Sequence, residues 1–241
     1  MPVKTNSPVI APPWWRYPLL ITGVAAAATA VIFIKQSQTH PFLLCAWRQL
    51  LAATFLSPLF FMAARRHTAT YTAGHLRRCI IPALMLATHF ISWTIGARKT
   101  DAANASLIVN LVPIVMPFLM VFMATEHLNR QEAMGTVLSL LGLGVLGAGS
   151  YRLRPENLPG DIICFFSMLL FALYLAYGRK NRDFPSLWLY LVPLYFFSGS
   201  FCLATGVISG AGWFPANLHE WLLMLALAVI PTLIGHSILN D

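Results

Sequence analysis

Long apolar stretches broken by short polar punctuation run through almost the whole chain. Eight can be placed, at about 18–35, 42–63, 79–97, 102–124, 132–149, 160–178, 186–209 and 219–239, each near the ~20 residues a helix needs to cross a bilayer. The loops between them are short and hold nearly all the charge. Without water in the hydrocarbon core, each segment must satisfy its own amides, as a helix does. The runs lack the ten-residue alternation of a membrane barrel. The pattern predicts an all-α, polytopic helical membrane protein. The run after Arg16 is too long for a signal-peptide core and reads as an uncleaved first span.

Polar residues inside these spans are the exceptions that carry information. In the third, Thr88, His89, Ser92, Trp93 and Gly96 fall within an arc of about 140° at helical spacing. Such a stripe is costly against lipid and should face the protein interior or a water-filled cavity. Two readings follow: a cavity wall, with His89 and Trp93 one turn apart on the same solute, or a helix–helix contact bonded through His and Ser. In the fourth span Ser106, Asn110, Pro113 and Pro117 share an arc of roughly 60°. Pro113 and Pro117 remove two amide donors and free the carbonyls of Val109 and Pro113. This predicts a kinked helix lining the pathway, against a static structural kink. Gly135, Ser139 and Gly142 form a small-residue ridge on the fifth span, suited to close packing within the chain or between two copies in a homodimer. Arg48 opens the second span at membrane depth. A charge there calls for an inter-helix partner or a pathway role, the alternative being a side chain that snorkels to the interface.

A weak internal repeat aligns His89 with His236 at an offset of about 147 residues, so that two copies of five spans each must lie upside down to one another. The boundaries are 17–150 for the first repeat and 158–241 for an incomplete second one of three helices. On that spacing the second repeat would continue to about residue 294, so eight of an expected ten helices are present.

Composition sharpens this picture. Of 241 residues, 58% are hydrophobic and 10% charged, where soluble domains carry about 25% charged residues. The net charge of +8 is topological and does not indicate nucleic acid, because basic residues collect in cytoplasmic loops. With the N-terminus inside, Lys and Arg divide ten inside to five outside, which favours that orientation. All eight acidic residues lie in loops or at span edges, so a mid-membrane carboxylate relay is not supported. His89 and His236 are the candidates for any proton coupling.

Cys45, Cys79, Cys164 and Cys202 lie singly in apolar runs without a CxxC. They predict buried thiols and neither a metal site nor a cofactor. Gly142-Leu143-Gly144-Val145-Leu146-Gly147 matches a dinucleotide fingerprint by letter only, since it lies inside an apolar helix with no strand before it. There is no G-x-S-x-G and no H-E-x-x-H, so no catalytic residues are expected and the chain is not read as an enzyme.

Several segments resemble the drug/metabolite transporter superfamily in its EamA-domain branch. They are Trp47–Ala52, Lys99–Ile108 running to Pro113, Glu126-His127-Leu128 with Gln131, Gly135 and Gly142, and Pro231–Asn240. The resemblance covers nearly all of the chain after about residue 17. It implies ten helices in two inverted five-helix repeats, cytoplasmic termini, and a central cavity between the repeats. It also implies a multi-pass protein of the plasma (inner) membrane that moves small metabolites such as amino acids, nucleosides or drugs, export being the expected direction. Arg48 and Glu126 match family positions of a structural or gating kind. The expected pathway comprises His89, Ser92, Trp93, Asn110, Pro113, His236 and Asn240; Arg48, Glu126, Gly135 and Gly142 have the structural role. A non-transporting membrane subunit, or an inactive transporter fragment, is the alternative.

Overall fold

The computed structural model describes residues 14, 16–124, 129–152 and 154–236. Helices α1 (Arg16–Ala28) and α2 (Ala30–Gln36) share the first span, α3 (Pro41–Arg66) is the second and α4 (Ala73–Lys99) the third. The fourth is divided between α5 (Ala102–Val109) and α6 (Val112–Ala124), and α7 (Arg130–Ser150), α8 (Leu158–Lys180) and α9 (Leu187–Ile208) follow. Helix α10 (Leu218–Leu227) continues as a π-helical segment, Ala228–His236. Seven of these units are long and apolar enough to cross a membrane, and the chain is a multi-pass helical membrane protein. The first unit, α1 with α2, covers the run expected at 18–35. Its run is interrupted at Thr29, whose hydroxyl and amide both donate to the Ala26 carbonyl, at 2.7 and 3.2 Å. That tightens one turn to i→i−3 bonding.

The proline pair acts in the fourth span as its chemistry dictates. Pro113 cannot donate to Val109, and the helix breaks just before it, at Asn110–Leu111. Asn110 turns back on Ser106, whose carbonyl accepts from the Asn110 amide at 3.3 Å and from its Nδ2 at 2.7 Å. The break re-aims the chain and leaves Asn110 at the corner.

Packing follows a simple exchange. Helix α3 lies along α9; α4 lies along α8 while α1 lies along the π segment; α4 also touches α9 while α3 touches the π segment. A shift of five spans maps α4–α8 onto α1 with the π segment, α4–α9 onto α3 with the π segment, and α3–α9 onto itself. The tightest crossing is α4 on α8, at Gly96 and Gly160. A Cβ on Gly160 would stand 2.5 Å from the Lys99 carbonyl carbon, and one on Gly96 would stand 2.7 Å from Cys164 Sγ. Gly96 therefore serves the helix crossing, whereas the sequence stripe placed it beside the polar residues. All four cysteines are free and buried.

Among the described residues the fifth-span ridge is not buried against another helix. Helix α7 buries none of its spanning window, and a Cβ on Gly135 or Gly142 would find nothing within 4 Å among the described residues. The packing expected of this ridge within the chain is thus not made there. Its Ser139 and Gly142 border open space beside α5 and α6 instead.

Candidate functional site

A cavity of about 160 Å³ lies between α1, α4, α5 and α8. His89, Phe90 and Trp93 of α4 form one wall, Ser106 and Asn110 another, and Phe171 of α8 a third. A wider cavity of about 640 Å³ shares Ser106, Asn110 and Phe171 with it and reaches Pro113 and Gly142. The two predicted stripes, on the third and fourth spans, thus face one another across connected space. Ser92 is set apart: its hydroxyl donates to the carbonyls of Thr88 at 2.6 Å and His89 at 3.0 Å, within its own helix.

His89 lines this cavity and is bonded across to α8. Its Nδ1 lies 3.0 Å from the Ser167 carbonyl and 2.8 Å from Ser167 Oγ, and that hydroxyl donates to the His89 carbonyl at 2.9 Å. A carbonyl can only accept, so Nδ1 carries the proton. Nε2 is left as the polar atom with which the ring meets the cavity. Near-parallel rings hold the imidazole in place, Phe171 at 4.7 Å and Trp93 at 6.3 Å between centroids. The indole Nε1 of Trp93 is buried in the same wall with no hydrogen-bond partner among the described residues.

Behind Phe90 lies the one fully buried guanidinium among the described residues. Arg48 is 1% exposed, which excludes snorkelling. Its Nε donates to Thr232 Oγ1 at 2.7 Å, and its carbon CZ sits 4.0 Å over the Phe90 ring. The π-helical segment supplies this partner for a local reason. Pro231 has no amide for the Leu227 carbonyl, and Thr232 Oγ1 donates to that carbonyl at 2.8 Å in its place. Arg48 Nη2 is buried and without a partner among the described residues.

Polar networks close both ends of the bundle. At one end the Glu220 carboxylate accepts from Ser37 Oγ at 2.5 Å, Thr39 Oγ1 at 2.7 Å and the Gln38 amide at 2.9 Å. Arg98 donates to the carbonyls of Ile34, Ser37 and Thr39 in the same loop. Beside it Asp161 accepts from Thr100 Oγ1 at 2.5 Å, Asn104 Nδ2 and Tyr151. Burial, and then Asp161, pushes the Tyr151 phenol up, so it remains a donor. At the other end Arg78 holds Asp183 in a two-pronged pair of 2.6 and 2.7 Å and also donates to Asn181. The Arg78 guanidinium keeps the Asp183 carboxyl below the usual carboxylate range. Burial raises the nearby Tyr71 phenol to about 12, and its hydroxyl donates to the Leu189 carbonyl at 3.1 Å.

Sequence reasoning singled out His89, Trp93, Asn110 and Pro113, which the structure sets along the two cavities. It did not find the closing networks, because Glu220, Asp161 and Arg98 looked like ordinary edge charges. The signal available for Glu220 was Asn217 three residues before it, which caps α10 by accepting from the Glu220 amide at 3.0 Å. Glu126 and Asn240 lie outside the described residues, as does the side chain of His236.

Residues 14–148 match the model of the EamA-like transporter family. A WAT1-related protein of Arabidopsis thaliana is 28% identical over an alignment of 149 residues, taking in 55% of this chain and 41% of that protein. The chain thus spans about two fifths of that curated relative's length. A solved crystal structure of a protein shares the fold, with a TM-score of 0.67, 18% identity, and coverage of 94% of this chain and 78% of that one.

Proposed function

The chain belongs to the EamA-like transporter family, and from that premise we propose that it carries a small solute across the membrane by alternating access through the cavity between α4 and α5. The observation that carries the reading is the Trp93 N–H, buried in the cavity wall without an acceptor among the described residues. An unsatisfied buried donor costs stability and is retained where something else completes it. With the His89 ring one turn away, the wall offers a donor, an acceptor and stacking faces, which suits a small planar solute with polar edge atoms.

Alternating access needs two halves that rock about a fixed site. The five-span exchange among the packed helix pairs supports inverted repeats over 17–150 and from 158 onward. The two closing networks are unequal. Glu220 is buried with four donors, whereas the Arg78 and Asp183 side chains are 39% and 60% exposed. The second network is the easier one to open. With the Lys and Arg distribution placing the N-terminus in the cytoplasm, that end faces inward, at the plasma membrane. Solute then loads from the inside, and the direction is export.

The test is a comparison of metabolite pools in cells expressing the wild-type chain, His89→Ala or Trp93→Ala at matched membrane levels. The reading expects at least one small-molecule pool to move with the wild type and to return to the control value with either variant. Identical pools for all three chains would remove this cavity from the pathway.

A further inference from the structure

Charge is the property of the solute that the cavity wall alone leaves open, and Arg48 bears on it. A guanidinium brings five N–H donors and a fixed positive charge into any interior that holds it. Taking that charge out of water is repaid only by close counter-charge and full hydrogen bonding. Arg48 has neither. It is 1% exposed, its Nε is bonded to Thr232 Oγ1, one face lies on Phe90, and Nη2 is unpartnered among the described residues. No Asp or Glu among the described residues forms an ion pair with it. Every described carboxylate is committed elsewhere or lies at a loop: Glu220 and Asp161 in one closing network, Asp183 on Arg78, Glu132 on Arg179 and Glu156 on Arg154. Two more polar atoms on the neighbouring faces of α3 and α9, Gln49 Oε1 and Ser198 Oγ, are also buried without partners.

The position of Phe90 connects this charge to the cavity. Phe90 is a wall residue of the space shared by His89 and Trp93, and the guanidinium lies 4.0 Å from its ring centroid. One aromatic side chain therefore separates the cavity from the unpaired cation. The anchor of Arg48 is a π-helical stretch opened by Pro231, a backbone form concentrated at functional sites.

We infer that Arg48 is the counter-charge for a carboxylate on the transported solute, which reaches the guanidinium by turning the Phe90 ring aside while its apolar part lies against His89, Trp93 and Phe171. This deepens the cavity reading and rests on it. The substrate class is then a small organic acid or a zwitterion with a carboxylate at one end and a planar or apolar body at the other. A solute carrying a net positive charge is disfavoured by the same guanidinium.

Three probes of one shape and different charge test this on the detergent-solubilised full chain. They are benzoate, benzamide and benzylamine, titrated by calorimetry at constant ionic strength in a neutral detergent. The wild type should bind benzoate about ten-fold or more tightly than benzamide, the scale of one charge-assisted pair, and benzylamine weakest. Arg48→Gln should bring benzoate down to the benzamide affinity and leave benzamide within about two-fold. Arg48→Lys keeps the charge and should retain part of the preference. It also provides the comparison should the glutamine variant fail to fold. Equal affinity for the three probes in the wild type, or a benzoate preference that survives in Arg48→Gln, overturns the inference. If the probes bind without regard to charge and Trp93→Ala weakens them all, the cavity reading stands and only the carboxylate assignment falls. If none of them binds, both fall. Displacement of benzoate by chloride at millimolar concentration would make this an inorganic anion site and would also overturn the assignment to a carboxylate.

Discussion

Ser37 donates a hydrogen bond of 2.5 Å to Glu220, tying the loop between α2 and α3 to the first turn of α10. The two residues are 183 positions apart, and both are buried. The same carboxylate takes Thr39 Oγ1 and the amides of Gln38 and Thr39, so one charged group takes four donors. Its removal orphans Ser37 Oγ, Thr39 Oγ1 and the Gln38 amide at once, while the Thr39 amide keeps Ser37 Oγ at 3.2 Å. Glu220→Ala should cost about 3 kcal/mol, the scale of losing hydrogen bonds to a charged group, and Glu220→Gln less. A thermal-denaturation midpoint in detergent that is unchanged for Glu220→Ala would show that this network does not hold the bundle end together.

Two glycines should respond in opposite ways to the same substitution. Gly160 faces the Lys99–Thr100 peptide so closely that a Cβ would lie 2.5 Å from backbone carbon, where no side-chain rotation gives relief. Gly160→Ala should force α8 off α4 and lower stability by about 3 kcal/mol. Gly142 meets nothing within 4 Å among the described residues, so Gly142→Ala gains helix propensity, up to about 1 kcal/mol. Midpoints measured side by side for the two variants check both signs. A tolerated Gly160→Ala would contradict the crossing described for α4 and α8.

The spans are readable from the sequence because lipid imposes a rule on every residue of them, so that long runs low in charge have one comfortable environment. The same rule makes His89 and Asn110 visible, since polar groups at that depth must face inward. Burial at the bundle ends follows no such rule. Glu220 and Asp183 both sit near loops, yet one is sealed by a folded-back loop and the other stands 60% exposed. What separates them is which distant segment comes to lie on top, a tertiary outcome with no local pattern. The break at Thr29 escapes for a related reason: a lone threonine in an apolar run usually bonds back without disturbing its helix, and only the tightened turn at Ala26 distinguishes it. Gly96 was assigned to the polar stripe because spacing reports a face, and a face does not tell which neighbour occupies it.

The Arg78–Asp183 pair gives a prediction with a definite pH sign. Asp183 is held below its ordinary carboxylate range, chiefly by its hydrogen bond to Arg78. A depressed folded pKa means that the pair contributes fully above the unfolded value and is lost as pH falls through the folded one. Its contribution should therefore be flat between pH 6 and 8 and should decline only in acid. Because both side chains are more than a third exposed, solvent and salt screen it to below about 1 kcal/mol. Asp183→Asn should cost that small amount at neutral pH and nothing at strongly acid pH, where the two chains converge. Stability profiles of both chains from pH 7 down to pH 3 make the comparison. A gap that widens toward acid would mean that Asp183 acts through some other group.

Trp93 allows stability and function to be separated at a single atom. Its Nε1–H is buried and makes no hydrogen bond within the described protein, so the folded chain bears the cost of that donor without return. Trp93→Phe removes the donor and keeps an aromatic ring in the wall beside His89. The variant should be as stable as the wild type, or more stable by about 1 kcal/mol, which a thermal midpoint in detergent reads directly. Transport should move the other way, because a solute acceptor that was satisfied by the indole now meets carbon. Loss of that hydrogen bond should weaken apparent solute affinity by about ten-fold, seen as a raised KM in cells or vesicles with little change in the maximal rate. A variant that is less stable and transports normally would reverse both signs, and would identify the indole as packing with no part in binding.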